Sequence, residues 1–364
     1  MKLNELKTPS IILDLDILEK NLQKFHSLAS ENNKEIWPMI KTHKSSEILQ
    51  MQKKFGSNGV LCGTLDECEL AADVGFNNVM YAYPVSDIIS IKRIIEISKK
   101  TNFILRIDDV KVAKIVNNIA KEKDIKINYT LIIDCGLHRF GVRKEDAIDT
   151  IKKINQYENL IFKGISTHPG HVYSATKNSE VQKYVEDEIN TLKYVKNELD
   201  KENIIYEIIS SGSTPTFLYA VESDVINIFH PGNYVYLDAI QMSLGIAKEE
   251  DCALRVLASI ISNPRDGDYL LDAGAKSIGL DKGAHGNDSI IGHGKIIGHS
   301  EAVIESLSEE VGKVKAKDLK VSERIQIIPN HSCSTANLTS FIYGYRGENI
   351  EQIINVDIRG NSKK

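Results

Sequence analysis

The chain has 364 residues, with 45 Lys and Arg against 50 Asp and Glu and 42% hydrophobic residues, a balance that excludes a disordered or fibrous chain. The formal charge of -5, with both signs interspersed, offers no field for a polyanion, so we expect small-molecule partners and no nucleic acid. No apolar run approaches the roughly 18 residues that span a bilayer, and the first residues lack a targeting signature, so we expect a cytoplasmic protein without membrane contact.

Short apolar runs recur along the first two thirds of the chain. The first covers residues 10–16, and eight more cover 36–41, 60–64, 79–84, 103–108, 129–136, 162–168, 204–211 and 225–234. Helical patterns lie between them, for example at 86–99, which Ser86 can cap, and at 179–200. This alternation predicts an α/β fold with a (β/α)8 TIM-type barrel over residues 16–238. An open doubly wound sheet is the structural alternative.

From residue 239 onward the pattern changes to short strand-like pieces separated by Gly, Asp, Asn or charged residues, such as LRVLASIIS, YLLDAG, AVIESLS and IINVDIRG. This pattern predicts a C-terminal β-rich domain over residues 239–364. Because no helix pattern precedes the run at 10–16, residues 1–15 could join that second domain, and the sequence leaves this open.

The C-terminal ends of barrel strands converge on one mouth, where TIM-type barrels carry their chemistry. Lys41 follows the apolar residues WPMI, and a lysine that ends a buried strand would be desolvated, which favours the free amine that a Schiff base requires. The alternative is a strand-end lysine that reaches solvent. At the last two strand ends, SSGSTPT and HPGNY combine glycine with hydroxyl groups and could hold a phosphate.

The five cysteines are scattered and form no CxxC pair, which argues against a disulfide framework or a closed structural zinc site. Cys333 differs from the others because it forms a His-x-Cys pair with His331. Two protein ligands would leave coordination positions open for a substrate hydroxyl group, as a catalytic metal requires. The alternative is a loop in which His331 makes a local hydrogen bond and Cys333 packs.

Taken together, these motifs resemble the fold-type III pyridoxal-phosphate enzymes, whose barrel is that of alanine racemase, and among them the D-serine dehydratase and D-threonine aldolase branch. The resemblance covers nearly the whole chain and is carried, in order, by KTHK, DCGLHRFGV, THPGHVYS, SSGSTPT, HPGNYVYLD, LSEE and PNHSCSTANL. It differs at WPM, where the family commonly has Arg-Pro-His, at Val311, where it has histidine, and at His230, where the racemases have an arginine facing the pyridine nitrogen.

The resemblance implies a role for each matched residue. Lys41 would bond covalently to the pyridoxal phosphate aldehyde, Arg139 would contact its phenolic oxygen, and His168 would lie beside its ring. His331 and Cys333 would bind a divalent metal ion, usually zinc when the second ligand is cysteine. The phosphate would be held by Ser211, Gly212, Ser213 and Thr214, with help from Gly232 and Asn233.

The expected activity is therefore that of a metal-assisted lyase acting on a small β-hydroxy D-amino acid, with D-serine dehydration to pyruvate and ammonia favoured because the aldolases often have aspartate as their second metal ligand. D-threonine aldolase is the alternative, with His168 or His171 as the base that removes the hydroxyl proton. A racemase needs a second acid/base, and no matching tyrosine motif occurs at 272–283. A pyridoxal-phosphate carrier would not need the second domain. The resemblance also implies a homodimer.

Overall fold

Eight parallel strands form the first of two sheets in the computed structural model, which describes residues 1–283 and 290–360. The chain enters through strand β1 (Ser10–Asp14), which lies outside this sheet. The strands of the sheet are β2 (Glu35–Ile36), β3 (Gly59–Cys62), β4 (Asn78–Tyr81), β5 (Asn102–Ile107), β6 (Ile127–Ile132), β7 (Leu160–Ser166), β8 (Ile208–Ser211) and β9 (Ile228–Phe229).

The order of these strands is that of a barrel. From β3 to β9 each strand pairs in parallel with the next one along the chain, and β9 then pairs with β2. An isolated parallel bridge between Met39 and Leu61 joins the two ends of the sheet. The predicted (β/α)8 TIM-type barrel is therefore confirmed, and the open doubly wound sheet is not observed.

Helices connect the strands and cover the outside of the barrel. The longest, α7, coincides with the amphipathic pattern predicted at 179–200. Helix α4 begins two residues later than its pattern, because the Asp87 carboxylate accepts from the backbone N–H of Ser90, so Asp87 and not Ser86 is the N-cap. The helices are α1 (Leu15–Glu31), α2 (Ser46–Lys54), α3 (Leu65–Asp73), α4 (Ile88–Ser98), α5 (Val110–Glu122), α6 (Ala147–Ile154), α7 (Asn178–Lys201), α8 (Thr214–Ala220), α9 (Ala239–Ser243), α10 (Ala275–Ile278) and α11 (Ser332–Ala336).

Two strands are much shorter than their apolar runs. The run at 36–41 was expected to end as a strand at Lys41, but β2 ends at Ile36 and Ile40–Thr42 forms a 3-10 helix. The run at 225–234 contributes only Ile228–Phe229. Both runs contain a proline, Pro38 and Pro231, which has no backbone N–H to donate to a ladder. The chain turns there, at the mouth of the barrel.

The second sheet is mixed and, within residues 1–283 and 290–360, contains nine strands. β1 lies near its middle, antiparallel to β10 and parallel to β16. The limits of 16–238 and 239–364 for the two domains stay predictions. The other strands of this sheet are β10 (Leu254–Arg265), β11 (Asp268–Leu271), β12 (Lys295–Ile296), β13 (Val303–Leu307), β14 (Gly312–Lys315), β15 (Arg324–Ile328), β16 (Phe341–Arg346) and β17 (Asn349–Asn355).

A buried cluster of apolar side chains occupies the interior of the barrel. It comprises Trp37, Leu61, Met80, Ala82, Ile104, Ile208 and Ile228. Leu61 and Ala82 of this cluster also line a cavity at the end of the barrel where the strands terminate. Within the described ranges, no helix combines the length and the apolar character that crossing a membrane requires.

Candidate active site

A cavity opens at the C-terminal ends of the barrel strands and is bounded on one side by the second domain. We call it the barrel cavity. It brings together residues that lie far apart in sequence, from both predicted domains. The sequence-predicted site residues that line it are Lys41, Arg139, His168, Gly212, Ser213, Thr214, Gly232, Asn233, His331 and Cys333.

Lys41 lies on the 3-10 helix Ile40–Thr42 and points its amine toward this cavity. Its neighbours Ile40 and Thr42 are buried, whereas Lys41 itself is exposed. The desolvation expected for a strand-end lysine is therefore not observed, because the chain leaves the strand at Ile36 and places Lys41 at the mouth. The amine is accessible to an aldehyde that enters the cavity.

Arg139 lies on a loop whose backbone is held in place by the acidic residue Asp134 at the start of that loop. One oxygen of Asp134 accepts from the backbone N–H groups of Gly136 (2.9 Å) and His138 (3.0 Å). Burial would raise the pKa of Asp134, but these hydrogen bonds outweigh burial and lower it. The loop thus holds the Arg139 guanidinium over the Phe140 ring, 4.4 Å from its centroid, at the wall of the cavity.

Two glycine turns form the opposite wall. Gly212 has a φ of +126°, and a Cβ there would come within 3.1 Å of the His230 backbone nitrogen. The Thr214 hydroxyl accepts from the Tyr234 backbone N–H at 3.1 Å, which ties the turn at 211–214 to the turn at 231–234. Glycine backbone and hydroxyl groups with no bulky side chain in front of them fit a phosphate group.

Two histidines in the cavity have assignable tautomers. His168 Nδ1 lies 3.1 Å from the Gly212 carbonyl, and His230 Nδ1 lies 2.8 Å from the Trp37 carbonyl. Because a carbonyl oxygen only accepts, each Nδ1 carries the proton and each Nε2 is an acceptor. Burial, followed by nearby positive charges, lowers the pKa of both rings, that of His230 to about 3. His168 thus presents a neutral ring that can accept a proton.

His331 and Cys333 reach the cavity from the second domain, on either side of the first residue of helix α11. The Cys333 thiol lies 3.3 Å from the Thr42 hydroxyl, and Thr42 is the residue after Lys41. His331 Nδ1 lies 3.2 Å from the Ser334 hydroxyl, which leaves Nε2 for another ligand. An imidazole and a thiol suit a borderline-soft ion such as zinc. Among the residues the structure describes, no group of three or more His, Cys, Asp or Glu side chains surrounds a metal position.

A buried carboxylate anchors this pair. Asp238 accepts from the Ser332 backbone N–H at 2.9 Å and from the Asn233 amide at 2.7 Å. Asn233 also donates to the Ser332 hydroxyl at 2.9 Å. The same network therefore fixes the end of the barrel and the loop that carries His331 and Cys333.

Arg106 is a cavity residue that the sequence reasoning missed. It lies inside strand β5, is 2% exposed, and extends its guanidinium across the barrel. Nε donates to the Ser166 hydroxyl at 2.8 Å and Nη2 to the Thr167 carbonyl at 3.0 Å. Burial lowers the pKa of Arg106 to about 10. The sequence feature that indicates Arg106 is an arginine inside the otherwise apolar strand of FILRID. A prediction that takes site residues only from strand ends does not include it.

Two predicted residues do not line the cavity. Ser211 is fully buried and donates to Glu188 of helix α7. The His171 ring packs edge-on against Tyr184, with ring centroids 4.9 Å apart. Of the two histidines considered as a base, only His168 lines the barrel cavity.

Both parts of the chain match known protein families. The alanine racemase N-terminal domain matches residues 13–239, and a domain described as a putative serine dehydratase domain matches residues 253–345.

Several of the similar proteins are dehydratases or aldolases. The chain is 27% identical to 3-hydroxy-D-aspartate aldolase of Paracoccus denitrificans (strain Pd 1222), over 98% of this chain and 93% of that protein. It is 28% identical to D-serine dehydratase of Dictyostelium discoideum, over 97% and 96%. Among solved structures, D-threonine aldolase from Filomicrobium marinum superposes with a TM-score of 0.91 at 24% identity, covering 99% of this chain and 98% of that one.

Proposed function

The chain belongs to the alanine racemase N-terminal domain family and is a pyridoxal-phosphate-dependent lyase, and we propose that it dehydrates D-serine to pyruvate and ammonia. One observation carries the proposal. Lys41 from the barrel and the His331 and Cys333 pair from the second domain line the same cavity. An amine for the cofactor and two metal ligands within one cavity are the parts that a metal-assisted lyase requires.

We propose that the chain's residues divide the work as follows. Pyridoxal phosphate, when bound, supplies an electron sink for bonds at the substrate α carbon. Lys41 would bond to its aldehyde, Arg139 would face its phenolic oxygen, and His168 would lie beside its ring. The phosphate would be held by the turn at 211–214, with Gly232 and Asn233. The Lys41 amine, which lines the cavity, would also be the base that takes the substrate α-proton.

The loss of the β-hydroxyl group needs an acid that stabilises the departing oxygen. A divalent ion, which we propose to be zinc, would act as a Lewis acid on the departing β-hydroxyl group. His331 and Cys333 would hold it, and Asp238 would keep their loop in place through Ser332. Cys333 as the second proposed metal ligand supports dehydration, because the aldolases of the family that the chain resembles often have aspartate at this position.

The predicted homodimer remains a prediction. Analytical ultracentrifugation would test it.

Retro-aldol cleavage to glycine and an aldehyde is the second candidate. His168 favours it, because its neutral ring lines the cavity with Nε2 as an acceptor and could take the hydroxyl proton directly. Several of the similar proteins are aldolases. His171 was the other predicted base, but it does not line the cavity.

Product analysis with D-serine and D-threonine separates these functions. Pyruvate from D-serine and 2-oxobutanoate from D-threonine would support dehydration. Glycine with acetaldehyde from D-threonine, and no pyruvate from D-serine, would replace the proposal with the aldolase. Conversion of D-serine to L-serine alone would contradict both.

A further inference from the structure

Glu188 is a buried acid directly behind the turn at 211–214. It lies in the middle of helix α7 and is fully buried. One of its carboxyl oxygens accepts from the Ser211 hydroxyl, and within the described part of the chain its other oxygen has no hydrogen-bond partner. Ser211 is the last residue of β8 and leads into Gly212. The Ser211 hydroxyl thus links the carboxyl group to the turn that would carry the phosphate, and the Thr216 hydroxyl of α8 is a second hydroxyl group beside it.

No lysine, arginine or histidine side chain forms an ion pair with this carboxyl group among residues 1–283 and 290–360. The Cys135 thiol, from the loop after β6, is buried. Burial raises its pKa to about 12, with the Thr167 hydrogen bond acting against burial and the charge of Glu188 acting with it.

The elements packed against α7 include α6, α8 and the 3-10 helices Lys144–Asp146 and Gly170–Ser174. Three of their ionisable side chains, Glu145, Asp149 and Lys153, are exposed. The others contact groups other than Glu188 or lie on these elements without an ion pair to it: Lys144 over the Tyr194 ring, Asp146 with Arg143, Lys152 with Glu202, His171 against Tyr184, Tyr219 with Asn178, and Tyr173.

A buried carboxylate with no countercharge is costly, so the protonated form is favoured. Burial accordingly raises the pKa of Glu188 to about 7, against the opposing effect of hydrogen bonds from Ser211 and Thr216. A phosphate group on the other side of the turn carries negative charge of its own. Two like charges separated by one turn in a water-poor environment repel each other, and protonating the carboxyl group removes that repulsion.

We infer that Glu188 is a positioning residue for the phosphate turn, and that binding of a phosphate-bearing cofactor requires its protonated form, so that cofactor affinity falls as Glu188 ionises. The inference rests on the proposed function, because it takes the turn at 211–214 as the phosphate site. It assigns no chemical step to Glu188. What it adds is a link between pH and the amount of cofactor bound.

The test measures cofactor affinity rather than activity. Cofactor-depleted wild type and E188Q are titrated with pyridoxal phosphate and, separately, with pyridoxal, which lacks the phosphate. Trp37 is the single tryptophan and lies below the cavity, so its fluorescence can report binding, with equilibrium dialysis as a check. E186Q is the matched control, because Glu186 is an exposed acid on the same helix.

The expected result is that the dissociation constant of wild type, divided by that of E188Q, depends on pH when the ligand is pyridoxal phosphate. Above about pH 7, the wild-type Kd for pyridoxal phosphate should rise relative to that of E188Q, approaching about tenfold per pH unit, the slope for one proton. Ionisation of the cofactor phosphate occurs with both proteins and cancels in the ratio. With pyridoxal, and for E186Q against wild type, the ratio should stay constant.

A ratio that does not change with pH for pyridoxal phosphate would overturn the inference while leaving the proposed function intact. If wild type binds neither compound at any pH, the proposed cofactor site is wrong and the inference falls with it. If E188Q does not fold, S211A serves instead. S211A removes a hydrogen bond that lowers the pKa of Glu188. The weakening of pyridoxal phosphate binding should therefore begin at a higher pH in S211A than in wild type. An unchanged midpoint pH of this weakening would contradict the inference.

Discussion

Lys41 and Lys44 lie three residues apart but in different surroundings. Lys41 lines the barrel cavity, whereas the Lys44 amine is paired with the buried Glu67 carboxylate at 2.6 Å. We expect Lys41→Ala to abolish the visible absorbance of bound cofactor and to lower lyase turnover by about 10³-fold or more, since it removes both the covalent attachment and the proposed base. Lys44→Ala should keep the absorbance. Turnover by Lys41→Ala near the wild-type rate would refute the assignment.

Cys333 allows the metal to be tested apart from the cofactor. Cys333→Ala should leave cofactor absorbance unchanged while lyase activity falls by about 10²-fold or more, because the β-hydroxyl group loses its Lewis acid. Cys252→Ala is the matched control, since Cys252 is buried and does not line the barrel cavity. Chelator treatment of wild type should reproduce the loss, and zinc should restore it. Full activity in chelator, with metal removal verified by elemental analysis, would contradict metal assistance.

Arg106 holds the segment that leads to His168. Replacing it by methionine leaves the Thr167 carbonyl without its side-chain donor and the Ser166 hydroxyl with only the Thr130 hydroxyl, which should cost about 1–3 kcal/mol of unfolding free energy. Urea unfolding measures this loss, with Arg143→Met, an exposed arginine, as the control. Arg106→Lys should recover part of the stability but not both directional bonds. Equal stability of Arg106→Met and wild type would show that the two bonds contribute nothing.

These residues also show how far sequence reasoning reaches at a single position. The motifs at the strand ends predicted most of the barrel side chains that meet in the cavity, because strand ends of a barrel must converge, but Ser211 and His171 do not line it. The resemblance, not the strand ends, indicated His331 and Cys333. They did not predict Arg106, whose neighbours are apolar and whose hydrogen-bond partners lie some 60 residues further along the chain. Nor did they predict Glu188, because a helical glutamate has the same local pattern whether its face meets water or a strand end.

Helix α1 carries a histidine whose ionisation should limit stability in acid. His26 is buried, with Nε2 3.0 Å from the Tyr234 hydroxyl, and burial lowers its pKa from 6.5 to about 4. Between these values the unfolded chain binds a proton that the folded protein does not, so stability is complete above pH 6.5 and is lost as the pH falls toward 4.

The measurement is the difference in unfolding free energy between wild type and His26→Gln across this window. Wild type should lose up to about 3 kcal/mol more than the variant, since each pKa unit corresponds to about 1.36 kcal/mol. The other histidines titrate in both proteins and cancel. Parallel pH profiles would show that His26 binds its proton equally in both states.

At the level of elements, the regular spacing of apolar runs was sufficient to predict eight barrel strands, because each run had to be buried between helices. It overestimated β2 and β9, where Pro38 and Pro231 interrupt the ladder while the apolar pattern continues. In the second domain, β14 and β16 were not predicted. In β14 every second residue is a lysine, and β16 includes a glycine and an arginine, so neither strand has a clear apolar run.

At the level of the whole molecule, strand β1 joins the two predicted domains. It pairs only with strands of the second sheet, yet it leads directly into α1 on the barrel. Leu13 belongs to the main core together with residues of α1, whereas Ile12 packs on the opposite face against Leu257 and Tyr345. These pairings join residues 241 or more positions apart with β10 and 331 apart with β16, and such pairings cannot be read from local periodicity.

Leu13→Ala should therefore weaken the entire molecule and not one domain. Both side chains at 12 and 13 are fully buried, and a buried leucine replaced by alanine costs about 2–5 kcal/mol. We expect one urea transition, shifted to lower concentration, in which the loss of cofactor absorbance and the loss of secondary structure coincide. Ile205→Ala, at an exposed isoleucine, is the control. Two separate transitions would mean that the domains unfold independently.

The contact between Cys333 and Thr42 joins residues 291 positions apart, and this distance sets an order of events for a chain made from its N-terminus. Every proposed cofactor contact, up to Asn233, leaves the ribosome before the metal ligands exist. A translation intermediate that ends between Asn233 and His331 would carry the proposed cofactor contacts but neither proposed metal ligand. The proposed lyase step therefore depends on residues that are synthesised after the whole barrel.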